Sequence, residues 1–154
     1  MKKLILFVLG FIFFSSTIKL NAQSIEQNNV IQTQTIYYEN NEYLVITIID
    51  ETQNITRANK YTKTGSVQAE KYNNSNICLW TYTLTAKYTV FAGIEATCTS
   101  ATYSTTINNS AWSFSNGLAY YDDNTAYGKG TFTSSTNTEF INLSLTCDEF
   151  GNLY

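Results

Sequence analysis

The side chains of this chain that could carry acid–base chemistry are carboxylates, because the sequence has no histidine. Histidine is the commonest general base and zinc ligand, and the usual partner of a nucleophilic serine or cysteine. Two carboxylates at a fixed separation could still hydrolyse a glycosidic bond. Glu39, Glu42, Glu95 and Glu139 are candidates, but nothing in their spacing singles out a pair. We therefore predict that the protein is not an enzyme and has no catalytic residue, cofactor or metal site, with a small hydrolase as the least favoured alternative.

One cluster of oxygen-bearing side chains, Asp122-Asp123-Asn124, follows two tyrosines. Oxygen ligands suit calcium, but a dedicated calcium loop has regularly spaced acidic residues and a glycine, which this segment lacks. Asp and Asn are also favoured in turns because their side chains hydrogen-bond to the nearby backbone. The segment is therefore interpreted as a solvated turn.

Aromatic side chains are the best candidates for binding, since their rings stack on sugars and anchor interfaces. The chain has 12 Tyr and 2 Trp. Aromatic residues on the apolar face of a strand are expected in the core, whereas Tyr37, Tyr43, Tyr103 and Tyr127 are candidate ligand contacts. Cross-strand aromatic pairing would account for the same four tyrosines.

Alternation of apolar and polar residues predicts the strands that position these side chains. In residues 78–90 the even positions are apolar or aromatic and most odd positions are threonine, and residues 141–147 alternate in the same way. Leu44, Ile46 and Ile48 likewise fall on one face of a predicted strand. One apolar and one polar face is typical of half-buried antiparallel strands. We expect an all-β fold, an antiparallel β-sandwich (immunoglobulin-like or similar), as a single domain over residues 36–154. The polar residues 23–35 are expected to form a flexible arm or an edge strand.

Turn residues divide these strands. Asn40-Asn41 and Asn116-Gly117 each lie between strand-like runs and predict hairpins. A three-residue loop of Phe91-Ala92-Gly93, with Gly93 in the left-handed conformation, would place Ala86 opposite Cys98. In that register the side chain of Cys98 faces the core.

Cys78, Cys98 and Cys147 are the three cysteines of the chain. In an oxidising compartment, one disulfide and one free thiol are the default expectation. A Cys98–Cys147 bridge would join strands far apart in sequence and stabilise the fold by about 4 kcal/mol. Cys78 also lies on a predicted apolar face, so alternation alone leaves its pairing open.

From residue 60 onward, the order of short motifs resembles a group of small exported bacterial β-domain proteins. The motifs are Leu79-Trp80, Phe91-Ala92-Gly93, Ala96-Thr97-Cys98-Thr99, an Asn-rich turn before Trp112, a Thr/Ala/Gly strand at Thr125–Thr133, Leu143-Ser144-Leu145-Thr146-Cys147 and Gly151-Asn152-Leu153. The resemblance implies a β-sandwich-like domain and a disulfide between Cys98 and Cys147. It implies no activity, because the group has none assigned.

The first 22 residues have the features of a signal peptide. Lys2 and Lys3 precede an apolar run over residues 4–14, and Ala22 precedes a plausible cleavage site. The run is too short to span a bilayer, for which about 20 apolar residues are needed. The sequence therefore predicts an exported bacterial protein, secreted or located in the periplasm or at the cell surface, with no transmembrane segment in the mature chain.

The charge of the predicted mature chain excludes some partners. Three of the nine Lys and Arg lie within residues 1–22, so the 12 Asp and Glu predominate in the rest. An acidic protein without basic clusters is not suited to nucleic acid. We predict a non-catalytic binding or cell-surface interaction module whose partner is a carbohydrate or a cell-surface protein. The alternative is a secreted, toxin-like antagonist that acts on membranes.

Overall fold

The alternating segments form eight β-strands in a computed structural model that describes residues 29–52 and 59–154. The proposed signal peptide and residues 23–28 lie outside the described residues. The strands are β1 (Asn29–Tyr37), β2 (Tyr43–Asp50), β3 (Lys60–Tyr72), β4 (Cys78–Phe91), β5 (Glu95–Ile107), β6 (Ser113–Asp122), β7 (Thr125–Thr133) and β8 (Thr138–Thr146). Residues 29–35 of the predicted arm or edge strand thus belong to β1.

The strands form two antiparallel sheets, a five-stranded sheet in the order β1-β2-β3-β4-β5 and a three-stranded sheet in the order β6-β7-β8. The β-sandwich predicted from the sequence is confirmed. Each sheet is a meander in which every strand pairs with its neighbour in sequence, so the connectivity differs from the Greek key of immunoglobulin domains. The described residues include no helix long and apolar enough to cross a membrane.

The core lies between β3, β4 and β5 on one side and the three-stranded sheet on the other. Strand β4 supplies its centre, because the even positions from Trp80 to Val90 are all buried, as the alternation predicts. Trp80 stacks on Phe132 of β7 with ring centroids 3.9 Å apart. The hydroxyl of Tyr88 donates a 2.6 Å hydrogen bond to the carbonyl of Leu145 in β8 and so joins the two sheets.

A β-bulge at the start of β4 overturns the predicted orientation of Cys78. Lys71 pairs with Trp80, but the next residue, Tyr72, pairs with Cys78, so Leu79 is the extra residue on β4. An extra residue reverses the side-chain alternation on one side of the bulge. Cys78 therefore lies beside Tyr72 on the outer face of the sheet and is only half-buried.

The β4–β5 turn has three residues, as expected, but it is displaced by one position. Phe91 pairs with Glu95, so the turn consists of Ala92, Gly93 and Ile94. Gly93 has the predicted left-handed conformation, with φ of 73°. Cys98 faces Tyr88 instead of Ala86, but the displacement leaves it on the same side of the sheet. The predicted inward orientation of Cys98 is therefore confirmed.

The hairpin predicted at Asn116-Gly117 is wrong, whereas a turn at Asn40-Asn41 does join β1 to β2. Asn116 and Gly117 lie inside β6, where the register shifts between Ser115 and Leu118. Asn116 has a left-handed φ of 55°. The ring of Tyr103 covers Gly117 so closely that a side chain there would collide with it. The same residue types that favour a hairpin here form a bulge, and β6 turns into β7 only at Asp122–Thr125.

Candidate binding site

A cavity of about 470 Å³ opens where the β1–β2 turn meets two other loops. It is lined by Asn40 and Glu42 from that turn, by Ala111 and Trp112 before β6, and by residues 134–137 between β7 and β8. The lining combines one large aromatic ring with amides, hydroxyls and a carboxylate. These three loops are separated by long stretches of sequence and meet only because the two sheets pack together.

Each loop is held by local hydrogen bonds. In the β1–β2 turn, Tyr38 N–H donates to the carbonyl of Glu42 at 2.9 Å. Between β7 and β8, Ser134 N–H donates to the carbonyl of Asn137 at 2.8 Å, and Asn137 N–H donates to the Ser134 hydroxyl at 3.1 Å. Trp112 N–H donates to the carbonyl of Asn109 at 3.0 Å. The cavity is therefore formed before any ligand arrives.

Trp112 is held against the aromatic core. Its ring meets the buried ring of Trp80 edge to face, with centroids 6.3 Å apart and an interplanar angle of 65°. Edge-to-face contacts of this kind favour one ring orientation. The indole of Trp112 is half-buried, which leaves part of it available in the cavity.

A buried ion cluster lies beneath the cavity. Lys71 Nζ is 2.8 Å from Glu139 Oε1 and 3.1 Å from Glu42 Oε2, and it lies 3.5 Å from the ring centroid of Tyr38. The Lys71 side chain is 1% exposed, against 12% for Glu139 and 22% for Glu42. Charge attraction to the two carboxylates and the face of the Tyr38 ring hold the buried ammonium.

Burial shifts the titration of the groups around Lys71. Burial raises the pKa of Glu139 above its usual range, and Lys71 opposes this shift by stabilising the carboxylate. Burial, together with the nearby carboxylates of Glu139 and Glu42, raises the pKa of the Tyr38 hydroxyl to about 12. One ammonium thus balances the charge of only one of two carboxylates. Part of the remaining negative charge lies on Glu42, which lines the cavity.

The four tyrosines singled out from the sequence do not form one site. Tyr37 and Tyr43 are neighbours on the outer face of the five-stranded sheet, with ring centroids 5.9 Å apart, and Tyr43 stacks on Tyr72 at 4.9 Å. Tyr103 stacks on Tyr82 at 5.6 Å. These contacts are cross-strand aromatic pairs, and Tyr37, 72% exposed, has the most accessible ring among these residues.

The fourth candidate, Tyr127, lies on the outer face of the three-stranded sheet. It stacks on Tyr120 with centroids 5.0 Å apart. Lys129 Nζ lies 5.3 Å from the centroid of the Tyr120 ring on the same face. Tyr127 is therefore remote from both Tyr37 and the cavity.

The disulfide expected between Cys98 and Cys147 is not formed in the structure, in which all three thiols are free. Cys98 Sγ lies 3.5 Å from the carbonyl of Ser100, and Cys147 Sγ lies 3.6 Å from the carbonyl of Asp148, so each buried thiol acts as a weak donor. Burial raises the pKa of Cys98 and, aided by nearby negative charge, raises the pKa of Cys147 to about 12. Both sulfurs are thus protonated at neutral pH.

The Asp122-Asp123-Asn124 segment is the β6–β7 turn. The carbonyls of Asp123 and Asn124 accept hydrogen bonds of 2.8 and 3.1 Å from the N–H groups of Cys98 and Cys147. The Asn124 side chain donates to the carbonyl of Cys147 at 3.0 Å. The turn therefore connects the end of β8 to β5. Within the described residues, no cluster of three acidic or cysteine side chains has a metal-binding arrangement.

Reasoning from the sequence missed Trp112 and Asn137 as site residues, although it noted Trp112 as a landmark after an Asn-rich turn. Four glutamates were candidates for a catalytic pair. Two of them, Glu42 and Glu139, lie close together in the structure, because both contact Lys71. Comparison of the chain with protein-family models, curated proteins and solved structures finds no significant match. The resemblance to exported β-domain proteins stays a prediction.

Proposed function

We propose that this protein is an exported, non-catalytic binding module that recognises a carbohydrate in the cavity beside Trp112. One observation carries the proposal: a half-buried indole lies among the amide, hydroxyl and carboxylate groups of a preformed cavity of about 470 Å³. A volume of this order suits a small ligand or the end of a larger one.

The lining matches the chemistry of a sugar. A sugar ring has an apolar face of C–H groups, which packs on an aromatic ring, and a rim of hydroxyls, which need donors and acceptors. Asn40 and Asn137 offer both, and Glu42 offers an acceptor whose charge strengthens the hydrogen bond. Because the three loops are already hydrogen-bonded, little ordering entropy opposes binding.

The ion cluster favours binding over hydrolysis. Glycoside hydrolysis needs one carboxyl group to give up a proton and a second that is free to attack or to activate water. Glu42 and Glu139 instead share the charge of Lys71, which lies within 3.1 Å of both. Because the ammonium contacts both carboxylates, the pair is a support for the cavity wall.

Location outside the cytoplasm is part of this proposal. The basic start, the short apolar run and Ala22 support export to the periplasm, the cell surface or the medium. The competing hypothesis, a toxin-like protein that permeabilises membranes, predicts leakage of dye from liposomes. The binding-module proposal predicts no leakage with the purified mature chain.

A glycan array probed with labelled residues 23–154 tests the proposal. We expect saturable binding to a defined set of sugars. Trp112→Ala should weaken that binding by about tenfold or more, since a central tryptophan contributes about 2 kcal/mol or more when it anchors a ligand. Trp112→Phe should retain part of the affinity, because it keeps an aromatic face.

Phe150→Ala is the matched control. Phe150 is 65% exposed and lies in the C-terminal turn beside Gly93, at the opposite end of the five-stranded sheet. The control should bind like the parent. Binding that is unaffected in folded Trp112→Ala protein, as judged by circular dichroism, would place the ligand elsewhere and refute the proposed site.

A further inference from the structure

One of the four edge strands of the two sheets, β8, lacks a β-bulge. The edge strands are β1 and β5 in one sheet and β6 and β8 in the other. Strands β1, β5 and β6 each contain a β-bulge, whereas the pairing of β8 with β7 is regular from Thr138 to Thr146. Bulges, lysines and prolines are the usual devices that stop an edge from pairing with another chain. Strand β8 has none of the three.

The free edge of β8 presents unused backbone groups. Ser134 pairs with Asn137 at the turn, so the alternation of an antiparallel ladder directs the backbone of Glu139, Ile141 and the following odd residues toward β7. The N–H and C=O groups of Phe140, Asn142 and Ser144 therefore face away from β7. Within the described residues, these three have no backbone partner on that side.

The chain itself begins to use this edge. Thr146 N–H donates to the carbonyl of Tyr154 at 2.9 Å, and Tyr154 N–H donates to the carbonyl of Thr146 at 3.1 Å. Tyr154 thus forms one reciprocal backbone pair with Thr146 on the edge of β8. This pair defines where an added strand would lie. Such a strand would run along the edge of β8 past Ser144, Asn142 and Phe140.

The inner side of this position is bordered by apolar side chains of β2 and, near the start of β8, by the Glu42–Lys71–Glu139 cluster. Among the described strands, β1 and β2 have extensive contacts only within their own sheet, so no described strand of the smaller sheet faces them. Ile46 and Ile48 on the inner face of β2 are only half-buried, and Phe140, on the outer face of β8, is 70% exposed. The one charged side chain of β8, Glu139, points inward and shares Lys71 with Glu42.

We infer that the free edge of β8 is a second binding site, which takes an extended peptide segment of a partner protein, with alternating apolar side chains, by β-strand addition. Backbone hydrogen bonds to Phe140, Asn142 and Ser144 would supply affinity, and alternate apolar side chains of the segment would cover Ile46 and Ile48. The site is separate from the carbohydrate cavity and does not depend on it.

Hydrogen exchange measured by NMR tests this inference on residues 23–154. The probe is a capped synthetic peptide as long as β8, with alternating threonine and Val/Ile residues and a lysine at each end for solubility. We expect the amides of Phe140, Asn142 and Ser144 to become protected when the peptide saturates. The amides of Ile141 and Leu143, which already bond to β7, should change little.

Asn142→Pro provides the matched variant. It removes one N–H that faces the free edge and leaves the bonds to β7 intact, as proline requires in an edge strand. Peptide affinity should fall by about tenfold or more, whereas Asn142→Thr should bind like the parent. Three results would each overturn the inference: no protection by the peptide at millimolar concentration, equal binding to Asn142→Pro, or protection of these amides in the free protein, which would mean that the edge is already covered.

Discussion

Replacing Lys71 by methionine removes the shared cation of the buried cluster and leaves Glu139 and Glu42 without their counter-charge. Removing one partner of a buried ion pair costs about 3–5 kcal/mol, because the other charge remains buried and unpaired. Because Glu139 is only 12% exposed, almost the full cost of an unpaired buried charge applies to it. Glu42, 22% exposed, can turn toward water. We therefore expect Lys71→Met to lower the free energy of unfolding at pH 7 by about 3 kcal/mol.

The pH dependence of this loss identifies its cause. In the variant the pKa of Glu139 is raised by burial with no ammonium to oppose it. Above about pH 4.3, the ordinary pKa of glutamate, the unfolded chain loses the proton that folded Glu139 still holds. The contribution of Glu139 to the stability of the variant is therefore greatest at or below that pH and falls as the pH rises through the raised pKa. The difference between parent and variant should be smaller at pH 4 than at pH 7 by about 1 kcal/mol or more.

Urea unfolding followed by tryptophan fluorescence measures both quantities, since Trp80 and Trp112 adjoin the cluster. Lys60→Met is the control: Lys60 is exposed and lies 4.8 Å from the ring centroid of Phe91, so its loss should leave stability nearly unchanged. The double variant Lys71→Met with Glu139→Leu should recover most of the loss, because charge and counter-charge leave together. A loss under about 1 kcal/mol at pH 7, or a loss independent of pH, would refute the reasoning.

Two further predictions concern the thiols and the packing of the smaller sheet. In native protein, a thiol reagent should label the half-buried Cys78 first, because Cys98 and Cys147 are buried and, with raised pKa values, protonated at neutral pH. Three reactive thiols after denaturation would match the structure, whereas a single thiol in exported material would show that oxidation joins two cysteines. Gly130→Ala should lower the free energy of unfolding by about 1–3 kcal/mol, because a methyl group there would press on the ring of Phe114. Thermal unfolding should detect this loss, and Phe114→Leu in the same chain should relieve it.

The sequence predicts the faces of the strands well because side-chain alternation is a local property. In β4 the even positions from 80 onward are buried as predicted, and Cys98 faces inward although its pairing partner differs. A change of two residues in cross-strand pairing keeps the face, whereas a single inserted residue reverses it. This is why the bulge at Leu79 made the prediction for Cys78 wrong.

The cavity depends on tertiary contacts that no local pattern contains. Asn-rich turns could be identified, but their convergence requires the β1–β2 turn, the segment before β6 and the β7–β8 loop to meet at one end of the sandwich. The pairing of Glu42 and Glu139 through Lys71 has the same origin, since these residues come from three different parts of the chain. Alternation places Lys71 on the inner face of β3 but cannot say which charges compensate it.

The connection of each sheet as a meander has a consequence for the export proposed above, in which the chain would cross a membrane unfolded, N-terminus first. Every strand finds its partner in the segment that emerged just before it, so loop closure adds little to the barrier for forming either sheet. The five-stranded sheet can thus assemble early. The aromatic rings on its inner face remain exposed to solvent until β7 and β8 pack on them, because Phe132 covers Trp80 and the carbonyl of Leu145 accepts the hydrogen bond of Tyr88. In the proposed export, the late-emerging strands would therefore determine how long an aromatic surface is open to aggregation or to a holding chaperone.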